Sequence, residues 1–166
     1  AAGINPILGC EVYVAPNSRL DREIGSDEDR YYHMVLLAEN NQGYANLMKI
    51  VSIGFVEGFY YRPRVDRETL EKYHEGIIAL SACLAGEVPR YLMRGLYDEA
   101  RETARYYQNL FGKDNYFLEL QDHGIPDQKL VNQQLLRMSQ ELDIPLVATH
   151  DVHYTYEDDV AAHDIL

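Results

Sequence analysis

A short segment near the carboxyl end of the chain combines residue types that bind metal ions. Asp151 and His153 follow an apolar run over residues 146–149, and one residue separates them. If the strand predicted from that run continues through them, the alternation of side chains places both on the same face. A carboxylate and an imidazole on one face suit a divalent metal. The same residues also fit a polar turn after a buried strand, so this segment alone does not establish a site.

Three further residues of metal-ligand type lie in or beside other predicted strands. Glu11 is the only charged residue in the apolar run over residues 7–14, where an unpaired carboxylate is unfavourable. His33 opens the run over residues 33–38, and Cys83 follows the run over residues 76–81. Each also has an ordinary interpretation, as an edge-strand glutamate, a structural histidine and a buried, inert cysteine.

The elements that position these residues alternate along the chain. Runs of apolar and β-branched residues predict strands over 7–14, 33–38, 76–81, 116–121 and 146–149. Amphipathic or capped segments predict helices over 44–55, 67–73, 86–94, 97–111 and 126–142. This order is typical of an α/β fold with parallel strands, whose carboxyl ends converge on one face. His33 departs from the pattern because it starts its strand. Either the predicted boundary is wrong by several residues, or this strand runs against the others.

Four local patterns carry more detailed expectations. Residues 16–30 are polar and contain glycine, which predicts a long surface loop. Residues 57–64 are aromatic and basic, which favours a packed loop with extended arginines over a base-stacking surface. Residues 155–158 resemble a capping box that opens a last helix. The buried face of the first helix is predicted to comprise Tyr44, Leu47, Met48, Val51 and Phe55.

The composition is that of an acidic globular segment. Hydrophobic residues make up 46% and charged residues 25%, and the net charge is −12. Because Lys and Arg dominate phosphate binding, this charge argues against a DNA-wrapping surface, although metal ions can supply positive charge in a cleft. The two cysteines, Cys10 and Cys83, form no CxxC motif, which favours a reducing cytoplasm. No apolar run approaches ~18 residues, so no membrane span is expected.

Six segments together resemble the PHP (polymerase and histidinol phosphatase) domain, in the version that bacterial DNA polymerase III alpha subunits carry. The resemblance covers essentially the whole chain. The segments that begin at Glu57 and Glu119 resemble the polymerase branch rather than the phosphatases. The matching segments are residues 3–13, 33–40, 57–64, 80–87, 119–124 and 148–154.

The resemblance implies a distorted β/α barrel with a cluster of metal ions at one face. Carboxylate, imidazole and thiolate ligands suit Zn²⁺ or Mn²⁺ at about 2.0–2.3 Å. Closely spaced ions would clamp the attacking and leaving oxygens of a phosphodiester. We assign no catalytic side chain. The metal-ligand positions of the family fall on Glu11, His33, Cys83, Asp151 and His153.

Two departures from the family pattern qualify these expectations. The opening His-x-His strand of the family and the Asp and His ligands after it would lie upstream of Ala1. A closed barrel normally needs ~250 residues, so we interpret residues 1–166 as one partial PHP domain, missing the first strands and part of the ligand cluster. His150 stands where the polymerase branch is expected to have Asn. As the neighbour of Asp151 it should point the other way, so we do not assign it as a ligand, and His123 at most supports the ligands from the outer coordination sphere.

Three functions are compatible with this resemblance. The first is a fragment of a replicative DNA polymerase, a nucleotidyltransferase whose PHP domain binds metal and performs 3′→5′ exonuclease proofreading; the fragment alone is expected to be inactive. The second is a non-catalytic domain of the same polymerase that docks a separate proofreading subunit. The third is a stand-alone PHP phosphoesterase. The expected partners are DNA, through the parent polymerase, and other replicase subunits, and open sheet edges would allow the fragment to form a homo-oligomer.

Overall fold

Seven strands and six helices make up the described part of the chain, which a computed structural model gives for residues 2–23 and 30–165. The strands are β1 (Gly9–Val14), β2 (Tyr32–Ala38), β3 (Phe59–Tyr60), β4 (Arg62–Val65), β5 (Ile77–Leu80), β6 (Tyr116–Leu120) and β7 (Leu146–Ala148). The helices are α1 (Asn41–Val56), α2 (Arg67–Tyr73), α3 (Glu87–Met93), α4 (Tyr97–Phe111), α5 (Pro126–Leu142) and α6 (Val160–His163). The five predicted strands are all present with small differences at their ends, and β3 and β4 are additional. The predicted loop over residues 16–30 lies partly outside the described residues.

The strands follow one another in the order β3-β4-β1-β2-β5-β6-β7, and this sheet does not close on itself within the described ranges. β1 pairs in parallel with β4, and β5, β6 and β7 are parallel to one another. β2 is antiparallel to both of its neighbours, β1 and β5. The prediction of a wholly parallel sheet was therefore wrong for β2. Of the two explanations for His33, reversal of its strand is correct. The open, mixed sheet is consistent with the expected incomplete α/β barrel.

The buried face of helix α1 has a glycine near each end. Its buried positions are Gly43, Asn46, Leu47, Ile50 and Gly54. A Cβ atom at Gly43 would lie 1.7 Å from the carbonyl oxygen of Gly76, so the helix and the turn after α2 touch backbone to backbone.

The predicted stripe on α1 was largely wrong. Leu47 is buried and Val51 is half-buried, but Tyr44, Met48 and Phe55 are exposed. The physical reason is that close backbone approach at Gly43 sets the rotation of the helix, so that Leu47 and Ile50 face the core and these three side chains are turned away from it.

Residues 57–64 form a hairpin instead of the predicted loop. β3 and β4 pair in antiparallel fashion, and Tyr61 between them has a left-handed φ of 61°. The arginines of this segment were predicted to extend toward solvent, but the side chain of Arg64 is fully buried. Its guanidinium donates to the carbonyl oxygens of Gly58, Arg19 and Asp21 at 3.3, 3.1 and 2.6 Å. These contacts fix the hairpin to the segment that follows β1.

Helix ends agree closely with the sequence signals. Asp66 caps α2, its carboxylate accepting a hydrogen bond from the Thr69 N–H at 3.0 Å. Gly112 follows α4, and Pro126 occupies the first turn of α5. The predicted capping box is displaced by one residue, because the Asp159 carboxylate accepts from the Tyr156 N–H at 3.0 Å. A short 3₁₀ turn, Glu157–Asp159, then precedes α6.

The helices cover the sheet and bury one apolar core, to which every helix from α1 to α5 contributes. Among the described residues, no helix combines the length and the apolar character needed to cross a membrane.

Candidate metal centre

Three of the predicted ligands meet where the ends of neighbouring strands come together. The ligand atoms of Glu11, His33 and Cys83 all lie within 4.8 Å of one another. Glu11 belongs to β1, His33 to the start of β2, and Cys83 to the segment after β5. Because β2 is reversed, its first residues lie beside the carboxyl ends of β1 and β5, with Tyr13 opposite His33. The antiparallel strand is thus what brings His33 into the group.

The turn after β5 ties Cys83 to β2. Ala82 has a left-handed φ of 63°, which turns the chain sharply out of the strand. The N–H of Gly86 then donates to the carbonyl oxygen of Cys83 at 2.9 Å, and the N–H of His33 donates to that of Ala85 at 3.0 Å. Cys83 and His33 are therefore held by adjoining backbone hydrogen bonds.

The imidazole of His33 interacts with both of the other ligands. Its Nδ1 is paired with the Glu11 carboxylate and lies 3.7 Å from Cys83 Sγ. Burial alone would lower the pKa of His33, but hydrogen bonds to Cys83 and Glu11 and their charge raise this pKa to about 9. The hydrogen bond from His33 in turn lowers the pKa of Glu11, and the nearby charge of His153 acts in the same direction. The position between the carboxylate and the sulfur atom therefore favours a positive charge.

Two tyrosines enclose the imidazole. The rings of Tyr31 and His33 are stacked, with centroids 5.9 Å apart and planes 9° apart. Tyr13 contacts both rings edge-on, at 4.7 Å from Tyr31 and 5.2 Å from His33. The imidazole is thereby held in one orientation and partly shielded from water.

The geometry of the group fits a divalent metal ion. Ligand atoms bound to one ion at 2.0–2.3 Å in a tetrahedral arrangement are about 3.5 Å apart. The distance of 3.7 Å between Cys83 Sγ and His33 Nδ1 agrees with this arrangement. A carboxylate, an imidazole and a thiolate are ligands for Zn²⁺ and for related transition metals. An ion would replace the proton on His33 Nδ1, because a histidine ligand must be neutral at the coordinating nitrogen.

Asp151 and His153 do not join this group of ligand atoms in the part of the chain that the structure describes. β7 ends at Ala148, so the pair lies in a loop and the argument from strand alternation was wrong. Their side chains are 39% and 57% exposed, and His153 Nδ1 lies 2.8 Å from the Asp151 carbonyl oxygen and 3.9 Å from its Oδ1. His153 is nevertheless close enough to Glu11 to favour the ionised carboxylate. The pair therefore flanks the three-residue group.

The other histidines near this loop have different surroundings. His150 is exposed, and its ring lies 5.8 Å from that of His123. The Gln128 amide oxygen accepts from the His123 backbone N–H at 2.8 Å, so the amide nitrogen faces His123 Nδ1 at 3.0 Å. On the other side of the ring, the backbone N–H of Asp151 donates to His123 Nε2 at 3.5 Å. Such contacts suit a residue that supports a ligand segment from outside the coordination sphere.

A buried polar group beside the ligands was missed in the sequence. Glu119 on β6 is only 6% exposed and accepts hydrogen bonds from Thr149 Oγ1, at 2.5 Å, and from the backbone N–H of Ala82. Burial raises the pKa of Glu119 in spite of these hydrogen bonds, and the charge of Asp151 raises it further. The signal that could have found it is a glutamate inside an apolar strand, the same signal that drew attention to Glu11.

Comparison with known proteins identifies the family. A family model described as the PHP domain matches residues 1–123, which is most of the chain. The chain belongs to the PHP domain family. The chain is similar to DNA polymerase III subunit alpha of Treponema pallidum, with 52% identity over 166 residues, and to that of Borreliella burgdorferi, with 45% identity over 165 residues. The corresponding subunit of Thermus aquaticus is 42% identical over 167 residues.

These matches cover 99–100% of this PHP domain chain but only 14% of the length of each relative. The chain therefore corresponds to a small part of proteins that are several times longer. PHP domains generally bind metal, and the group of Glu11, His33 and Cys83 has the composition of such a site.

Proposed function

We propose that this chain provides part of a divalent-metal centre in the PHP domain of a replicative DNA polymerase. The observation that carries the proposal is the convergence of Glu11, His33 and Cys83, with all their ligand atoms within 4.8 Å. The names of the relatives support the polymerase context. The parent protein would be a DNA-directed DNA polymerase that acts in cytoplasmic DNA replication, with DNA and other replicase subunits as its partners.

Within this centre we assign a role to each predicted ligand. Glu11, His33 and Cys83 would hold one ion, Zn²⁺ or Mn²⁺, and His33 would release its Nδ1 proton on binding. Asp151 and His153, which flank Glu11 in an exposed loop, would complete the coordination or hold a neighbouring ion. Bound metal would supply Lewis acidity and an activated water for phosphodiester hydrolysis.

The activity that we propose for the intact PHP domain is 3′→5′ exonuclease proofreading. Removal of a nucleotide from a DNA 3′ end is phosphodiester hydrolysis, which closely spaced metal ions accelerate. The chain has a net charge of −12, so most of the attraction for the DNA backbone would come from the ions and from the rest of the polymerase.

Metal analysis and a nuclease assay of the full-length protein test this function. We expect stoichiometric Zn²⁺ or Mn²⁺ and release of nucleotides from a labelled primer, with both lost after chelation. Asp151→Asn should reduce hydrolysis at least about tenfold, as expected for loss of a metal-binding carboxylate. The matched control Asp114→Asn, an exposed aspartate in the turn before β6, should leave the rate unchanged. Metal-free protein, or a rate that Asp151→Asn does not alter, would contradict the proposal.

A non-catalytic domain that docks a proofreading subunit is the second candidate. It is favoured by the exposure of Asp151 and His153, which leaves the ligand set divided. It predicts that joint replacement of Glu11, Cys83 and His153 lowers thermal stability or partner binding without changing any nuclease rate.

A stand-alone phosphoesterase is the least supported alternative, because the relatives named above are polymerase subunits. Residues 1–166 alone are expected to show little or no hydrolysis, and a robust rate would refute that expectation.

A further inference from the structure

We propose that Glu119 is a positioning residue that holds the two parts of the metal centre together through Ala82 and Thr149. Cys83 follows β5, whereas Asp151 and His153 follow β7. β6, which carries Glu119, lies between β5 and β7 in the sheet. This inference rests on the proposed metal centre and adds a residue that lies outside its ligand set.

The carboxyl group of Glu119 contacts both strand ends at once. It accepts a hydrogen bond from Thr149 Oγ1 at 2.5 Å, two residues before Asp151. It also accepts one from the backbone N–H of Ala82, the residue before Cys83. The side chain is 6% exposed, so water competes little for these hydrogen bonds. One buried side chain therefore joins the segment that carries Cys83 to the segment that carries Asp151.

The backbone at Ala82 explains why a hydrogen bond is needed there. Its φ of 63° lies in the left-handed region, which is unfavourable for residues with a Cβ atom. Such conformations persist where surrounding contacts fix them, and they concentrate at functional sites. Ala82 is 4% exposed, and the hydrogen bond from its N–H to Glu119 is one such contact. Without this hydrogen bond, the turn that directs Cys83 toward His33 would be held by fewer contacts.

A small polar cavity beside Glu119 indicates the protonation state of its carboxyl group. Glu119 Oε2 and Gln121 Oε1 are buried and have no hydrogen-bond partner. Both residues line a cavity of about 10 Å³, together with Cys83 and Asn132, which is room for roughly one water molecule. Because a buried, ionised carboxylate with an unpaired oxygen is unfavourable, a proton on Oε2 fits this cavity best. A neutral Glu119 keeps Oε1 as the acceptor for Thr149 and offers a donor to the cavity.

The experiment measures Co²⁺ binding to the full-length protein by titration, with optical absorption as the readout. The charge-transfer band between a thiolate and Co²⁺ reports coordination by sulfur, and the part of the band that Cys83→Ser removes belongs to Cys83; a change in general stability would not move it. Glu119→Ala should weaken Co²⁺ binding at least tenfold and reduce this band. Glu119→Gln, a neutral side chain of the same shape, should keep the affinity within about threefold and retain the band, since amide and protonated carboxyl groups both accept and donate.

Asn132→Ala is the matched control. Asn132 lines the same cavity and donates to the carbonyl oxygen of Gln121 at 2.9 Å. It lies on α5, away from Ala82 and Thr149 in the chain, and its replacement should leave Co²⁺ affinity and the band unchanged even if the melting temperature falls.

Each remaining outcome decides the proposal. Unchanged Co²⁺ affinity in Glu119→Ala would overturn it, and equal losses in Glu119→Gln and Glu119→Ala would overturn the neutral form. If Glu119→Ala does not fold, the hydrogen bond can be removed from its other side. Thr149→Val lacks the hydroxyl donor and should weaken Co²⁺ binding, whereas Thr149→Ser keeps the donor and should bind Co²⁺ as the unaltered protein does. Equal Co²⁺ binding by these two variants would refute the role of the hydrogen bond between Thr149 and Glu119. Absence of Co²⁺ binding by the unaltered protein would instead refute the metal centre, and the two failures are therefore distinguishable.

Discussion

Arg64 shows how a single buried side chain organises its surroundings. Its guanidinium bridges three backbone carbonyl oxygens, at 3.3, 3.1 and 2.6 Å. Arg64→Lys should reduce the free energy of unfolding by about 2–4 kcal/mol, because an ammonium group cannot bridge all three oxygens and a fully buried cation then loses hydrogen-bond partners. Urea unfolding measures this loss. Arg62→Lys, at an exposed position of the same hairpin, should change stability by less than about 0.5 kcal/mol, and similar values for both variants would contradict the assignment.

Asp66 makes part of the stability dependent on pH. Its carboxylate is 2% exposed, which by itself would raise its pKa, but hydrogen bonds from Arg19 and Thr69 and the charge of Arg19 lower that pKa overall. A carboxyl group whose pKa is lower in the folded state stabilises the fold above its unfolded pKa of about 3.9. That contribution is lost as the pH falls through the folded pKa.

The unfolding free energy should therefore fall from about pH 5 to pH 3 more steeply in the unaltered protein than in Asp66→Asn. Urea titrations at several pH values across this range provide the comparison. Asp114→Asn should keep the steep fall, because this aspartate is exposed. Parallel curves for the unaltered protein and Asp66→Asn would show that Asp66 has no such role.

At the scale of elements, the helices with clear end signals were predictable and the packing of α1 was not. Asp66, Gly112 and Pro126 mark helix ends through local chemistry, so α2, α4 and α5 were predicted almost to the residue. The buried face of α1 depends on a contact between Gly43 and Gly76, which are distant in sequence. The β3–β4 hairpin was not predicted, because its arginines and Pro63 interrupt the alternation of apolar and polar residues that indicates a strand.

The contact of α1 with the turn after α2 can be tested by adding one methyl group. Gly43→Ala should lower the free energy of unfolding by about 2–4 kcal/mol, because its Cβ would meet a backbone oxygen that cannot rotate away. Gly54→Ala on the same helix places its Cβ 3.3 Å from a Val65 methyl and should cost much less. Thermal and urea unfolding give both values. An equal effect at the two positions would argue against close backbone contact at Gly43.

The site shows the same division between local and non-local information. Glu11, His33 and Cys83 were proposed from residue type and family resemblance, but their convergence depends on the direction of β2, which pairing with distant strands determines. Asp151 and His153 were placed on a strand, whereas ladder hydrogen bonds end at Thr149 and leave both in a loop. Whether all five bind metal stays a prediction.

At the scale of the whole molecule, β7 forms one edge of the sheet in the described ranges. The N–H of Thr149 donates to Leu120 and the carbonyl oxygen of Pro145 accepts from Leu118, so residues 145, 147 and 149 direct their polar groups toward β6. By alternation, the N–H of Ala148 points outward, where it is open to pairing with another chain.

We therefore expect isolated residues 1–166 to self-associate through β7 with increasing concentration. Ala148→Pro should weaken this association, because proline removes the outward donor without removing a hydrogen bond to β6. Ala148→Val keeps the N–H and should associate as the unaltered chain does. Sedimentation velocity over a range of concentrations distinguishes the cases. A chain that stays monomeric, or one in which Ala148→Pro has no effect, would refute self-association through this edge.

The aromatic enclosure of His33 also gives the molecule an optical reporter. The chain contains no tryptophan, so Tyr31→Trp would introduce its only indole, and would place it against the imidazole on which Tyr31 now stacks. Emission from that indole would respond to the charge on His33 and to occupation of the site by an ion. Fluorescence could then follow, in one unlabelled protein and in real time, the arrival and departure of metal at the end of the reversed strand.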